Sequence, residues 1–180
     1  MKRFLKGMLT GILLVPVCAF LYLRLGYAPA AASAPPLPFE QRIASMALKA
    51  RIAKEAPAQP DIPLTEGALM EGAKVYREYC AFCHGIGSGP KSPAARGMYP
   101  PPPQLFQGQG VTDDPIGETY WKVANGIRLT GMPAYRGSLM DTQLWQVSML
   151  LSNAQKLPPS VGAFLASPAL QAVATGQVPF

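Results

Sequence analysis

The sequence predicts an all-α protein, a small helical domain carried on an N-terminal membrane helix. Three observations point there. Apolar residues recur at helical spacing in three segments beyond residue 64, no stretch alternates as a strand, and an uncharged, mostly apolar run from Gly7 to Leu23 follows a basic start. The 20 prolines and 17 glycines among 180 residues leave several segments unable to build a core. The chain therefore divides into an anchor (1–27), a proline- and alanine-rich spacer (28–64), a compact domain (65–158) and a weakly patterned tail (159–180). A domain of that size is marginal on its own side chains.

The anchor begins with Lys2, Arg3 and Lys6. Its apolar run is at the short end for a spanning helix and long for a signal-peptide core. Tyr22 and Tyr27 suit the membrane interface, Arg24 can snorkel, and Pro16 is tolerated inside a membrane helix. The basic start places the N-terminus in the cytoplasm and the domain outside. Cleavage competes with retention, because Ala28-Pro29-Ala30 and Ala30-Ala31-Ala32 both read as A-x-A sites. An uncleaved anchor is the preferred reading. Cys18 follows Val17, too bulky for lipoprotein processing, and reads as a small apolar side chain in the membrane.

Within the spacer, residues 39–56 form a basic helix. Phe39, Ile43, Met46 and Ala50 recur at helical spacing, with Arg42, Lys49, Arg51 and Lys54 between them. Two uses compete equally: resting on anionic lipid headgroups, or packing that apolar stripe on the domain.

Three helices are expected in the domain. Thr65 caps the first, which runs through Tyr79 with Leu69, Gly72, Ala73, Tyr76 and Cys80 along one stripe. Gly72 costs stability there, and a close helix contact explains it. The second opens at Thr112 or Asp113 with Pro115 in its first turn and stops at Gly126. The third starts near Asp141 and carries Leu144, Trp145, Val147 and Leu151. Between them, Gly85 to Gly110 reads as a long loop, which in a compact domain usually wraps something.

The content of that loop is indicated by Cys80-Ala81-Phe82-Cys83-His84. Two thiols spaced by two residues can each add across one haem vinyl group, and the adjoining imidazole can ligate the iron. The run could also be half of a zinc site, but zinc wants four closed ligands. His84 is the only histidine, and the remaining cysteine is Cys18. A dithiol oxidoreductase would need a βαβ pattern around the cysteines, which is absent. The favoured cofactor is one covalent haem c.

A single histidine excludes a bis-histidine haem and a second haem of the same type. The sixth ligand is then methionine, another weak donor, water or nothing. Met98, Met132, Met140 and Met149 follow the motif; Met149 falls in an apolar helical pattern, Met140 near a helix start, and Met98 in a Pro/Gly-rich stretch. Met132 stands between Gly131, which lets backbone approach the haem, and Pro133, which stiffens the loop, and is the favoured ligand.

The net charge of +6 is no nucleic-acid signal. The excess sits beside the apolar run and in residues 42–54; from Thr65 onward eight basic residues face seven acidic ones.

With these residues in hand, the chain resembles the membrane-anchored single-haem class I cytochromes c. The resemblance rests on Gly72 and Tyr76 running into Cys80-x-x-Cys83-His84-Gly85, on Pro103-Gln104-Leu105, on Gly126-Ile127 before Gly131-Met132-Pro133, and on Leu144-Trp145. It implies that the terminal helices cross near Gly72 and Trp145. It also implies that the Pro103 carbonyl accepts the proton of the free His84 nitrogen and that Leu105 packs on the porphyrin. The run Pro100 to Pro103 is a departure that leaves the particular proline open. Met140 stands where the family often has a capping Ser or Thr, which moves the expected helix start to Asp141.

A haem held by His84 and Met132 would have both axial positions filled, and the soft thioether favours Fe(II). That describes a carrier, not an enzyme. The expected role is single-electron transfer between a dehydrogenase or quinol-oxidising complex and an acceptor such as a terminal oxidase. Its expected place is the periplasmic side of a bacterial cytoplasmic membrane, with membrane lipid but no nucleic acid among its partners. A haem enzyme or gas sensor with an open sixth site, and a fixed haem subunit of one dehydrogenase or oxidase complex, are the competing readings.

Overall fold

A computed structural model describes residues 1–86, 89–108 and 110–175, and among them every regular element is helical. The chain divides into two units, Met1–Gln41 and Arg42–Phe180. The first holds α1 (Lys2–Arg24), a 23-residue helix long and apolar enough to cross a membrane, with Pro16 inside it. Tyr22, in its last turn, stacks on Tyr27 just beyond it.

The second unit is built on α3 (Glu66–Tyr79) and α7 (Asp141–Ser152), which cross in direct contact. The Thr65 hydroxyl caps α3, accepting from Ala68 N at 3.1 Å. The crossing works because Gly72 has no side chain. A Cβ there would overlap the carbonyl of Gln146 and meet Leu150 Cβ at 3.2 Å. Leu144, Met149 and Leu150 fill the buried layer beside it, each 1% exposed or less. Gly72→Ala is therefore expected to cost about 1–3 kcal/mol by overpacking. It should lower the Tm of the haem-loaded protein by several degrees, and an unchanged melt would mean that the helices do not meet there.

α6 (Ile116–Asn125) packs on α7, with Tyr120 stacked on Trp145 at 4.1 Å between ring centroids. It begins at Ile116 rather than at Thr112 or Asp113. Pro115 is its N-cap, with extended backbone, so the proline sits one residue outside the helix. Gly126 ends it as expected, at φ +66°. The expected loop from 85 to 110 contains a short helix, α5 (Pro93–Gly97), capped by the Ser92 hydroxyl.

α2 (Glu40–Glu55) is present, but its packed face differs from the stripe its period suggests. Ile43 and Met46 are 61% and 67% exposed and Phe39 is exposed too, whereas Ile52 is buried and Leu48 half-buried. The connection after α2 is locked by Pro57, whose carbonyl occupies the space a side chain at Gly117 would need. The tail folds as α8 (Pro159–Leu165) and α9 (Pro168–Thr175), which lie against α3 and the turn after it. Val161 and Leu165 are buried there, and Arg77 sits over the Phe164 ring.

Candidate haem site

Cys80 ends α3, and one further turn, α4 (Ala81–His84), carries Cys83 and His84. Two tyrosines fix this turn. Tyr76, fully buried, donates its hydroxyl to Gly85 O at 2.7 Å, and Tyr135 donates to Tyr79 O at 2.8 Å. Gly85 takes φ +67°, where its missing side chain also leaves room for Gln104.

One cavity is lined by Cys80, Cys83, His84, Pro103, Leu105 and Met132, so all six residues singled out from the sequence meet there. Its other walls include residues of α6 and of the loop after it, Leu151 of α7 and Leu48 of α2. Both thiols are free. Burial, and then Cys83, push the Cys80 thiol up to about 12, and burial raises Cys83 as well. Each is thus a neutral thiol in an apolar wall.

His84 Nδ1 donates to Pro103 O at 2.8 Å. Burial lowers the imidazole's pKa, against the opposing Pro103 hydrogen bond and with help from Lys91. The ring is therefore held neutral with its proton on Nδ1, which leaves Nε2 as an electron-pair donor. The proline loop is itself tied down, because Lys91 Nζ donates to Pro102 O at 3.0 Å.

Met132 lies in a loop held at several points. Ile127 N donates to Met132 O at 3.2 Å, Met132 N to Thr130 Oγ1 at 3.1 Å, and Thr130 Oγ1 to Ile127 O at 2.7 Å. Gly126 permits the tight return, since a side chain there would press on the 132–134 backbone. Tyr135 N and Arg136 N then bond to Val123 O and Ala124 O, both at 3.1 Å.

The other methionines separate clearly. Met149 is 1% exposed in the core, and Met140 is 67% exposed at the start of α7, where its N–H donates to Gln143 Oε1. Met98 is different: it lines the same cavity, and its Sδ lies 2.8 Å from where a Gly131 Cβ would be. Nothing local in the sequence reveals this approach, because Met98 and Gly131 are brought together only by the fold.

Thr119, also unforeseen, lines the cavity while only 4% exposed, and its hydroxyl has no partner among the described residues. A buried hydroxyl in an apolar cavity is costly unless something accepts from it. A haem, with an apolar ring and carboxylate propionates, fits both the walls and this orphan. A zinc cage does not, since no group of three or more His, Cys, Asp or Glu side chains gathers to hold a metal among the described residues.

Residues 67–149 match the family model for cytochrome C oxidase, cbb3-type, subunit III. That span takes in α3, the cysteine–histidine turn, the proline loop, α6 and the Met132 loop. The chain thus carries a c-type cytochrome domain, the module of a haem-based electron carrier, behind an N-terminal helix consistent with a single-pass anchor. No curated relative matches the chain.

Proposed function

We propose that the protein is a membrane-tethered single-electron carrier with one haem c, joined through Cys80 and Cys83 and ligated by His84 and Met132. The observation that carries this reading is the shared cavity, with two free thiols, a neutral imidazole oriented by Pro103 and a thioether on a braced loop. The bound haem supplies a one-electron couple whose potential the axial ligands set. Cys80 and Cys83 hold the ring, and Pro103 fixes the plane and basicity of His84. Gly126, Thr130 and Ile127 keep Met132 in place in both oxidation states, so little rearranges when charge moves. The apolar walls exclude water, and Thr119 offers a hydroxyl to a propionate.

The electron donor is a dehydrogenase or quinol-oxidising complex, the acceptor a terminal oxidase or similar complex, and the domain works outside the cytoplasm. The description of the matched family favours a second reading, in which the chain is a fixed haem subunit of one oxidase. Purification from membranes in mild detergent separates the two: a shuttle comes away alone, and a fixed subunit brings stoichiometric partners.

Location has its own check. The haem-loaded protein should sediment with membranes and be cut by protease added to the outer side. Release of a soluble chain beginning near Ala31 or Ser33 would show that the A-x-A reading holds and the anchor reading does not.

A further inference from the structure

α2 presents its two sides to different surroundings. On one side Leu48 reaches the cavity, Ile52 is 5% exposed, and Glu55 accepts from Trp121 Nε1 at 3.2 Å while pairing with Arg51 at 2.7 Å. These contacts fix the helix's rotation. At about 100° per residue, Ile43, Met46 and Ala50 then fall on the opposite side, and Ile43 and Met46 are largely exposed. Arg42 and Lys49 border this strip on one flank and Lys54 on the other, all exposed. None of the three has an ion-pair partner among the described residues. Of the helix's two acids, Glu55 is on the packed side, and Glu40, one turn before Ile43, has its carboxylate accepting from Leu37 N.

We propose that this outward face of α2 docks on an anionic phospholipid surface. An apolar strip edged by unpaired cations matches a helix lying in the headgroup layer, with apolar side chains inserted and ammonium and guanidinium groups on phosphates. The strip is too small to hold a soluble protein on a membrane, and it does not have to. A membrane-type helix precedes α2 by residues 25–39, a spacer of at most about 50 Å, so even weak surface affinity acts at high effective concentration. Because Leu48 lines the cavity from the other side of the same helix, lipid contact would fix how the haem site faces the membrane.

The test uses the haem-loaded full chain, carrying Cys18→Ser and a nitroxide on Met46→Cys, in nanodiscs of phosphatidylcholine alone or mixed with phosphatidylglycerol. Unchanged haem content checks that the fold is intact. In the anionic discs the label is expected to lose contact with a water-soluble nickel relaxant and gain contact with oxygen dissolved in lipid. Arg42→Glu with Lys49→Glu should return it to the water-exposed state. A label equally accessible to nickel in both compositions overturns the proposal. So does label–label dipolar broadening in both, which would mean that a second copy covers the face.

Discussion

Replacing both Cys80 and Cys83 with alanine is expected to leave almost no haem-loaded protein. The two thiols sit in the wall of the cavity, one ending α3 and the other in the turn that carries His84, so each thioether would staple the porphyrin to the same short segment. Without them only axial ligation and apolar contact hold the ring. The domain would also depend on that ring for part of its interior, since a chain of this size buries a small core of its own. Either single substitution should keep one thioether and shift the absorption bands of the alkaline pyridine complex, which report how many vinyl groups are saturated. Covalently bound haem at full yield in the double variant would end the attachment account.

Met132→Ala should have the second large effect, and of a different kind. Haem stays attached, because Cys80, Cys83 and His84 are untouched. The sixth position opens, the reduction potential falls, and the reduced iron binds carbon monoxide. Met140→Ala should change nothing at the iron, since Met140 is outside the cavity. Met149→Ala should cost roughly 2–5 kcal/mol of stability while leaving coordination intact. Met98→Ala is the sharp control, because Met98 shares the cavity and occupies the space a side chain at Gly131 would need. It should stay six-coordinate. If Met98→Ala opens the iron and Met132→Ala does not, the ligand lies in the loop just after the cysteine–histidine motif.

The parts of this site that a sequence exposes are those whose chemistry is local. To hold one ring, Cys80, Cys83 and His84 would have to be close in the chain, so their spacing is itself the signal. Thr65 and Gly126 mark helix ends because capping and left-handed backbone are properties of single residues. Short elements escape, since α4, α5 and α8 span too few turns for a period to register. α2 misleads for another reason. Phe39, just before it, and Ile43 and Met46 within it define a clear stripe, yet the domain buries Ile52 and part of Leu48. Periodicity finds an apolar face without saying whether protein or something else covers it. Thr119 and the approach of Met98 to Gly131 are hidden for the same reason, although Met98 itself stands among the candidate ligands, because an orphan hydroxyl and a thioether against a distant glycine exist only once the chain is folded.

The most direct test of the carrier assignment is an optical redox titration of the purified wild-type protein, run with and without carbon monoxide. A carrier ligated by His84 and Met132 gives one single-electron transition for one haem, and carbon monoxide leaves both spectrum and midpoint unchanged. A carbon monoxide spectrum in the reduced protein, with the midpoint drawn upward by the gas, would mean that the sixth position is open and that the haem binds or transforms small molecules instead.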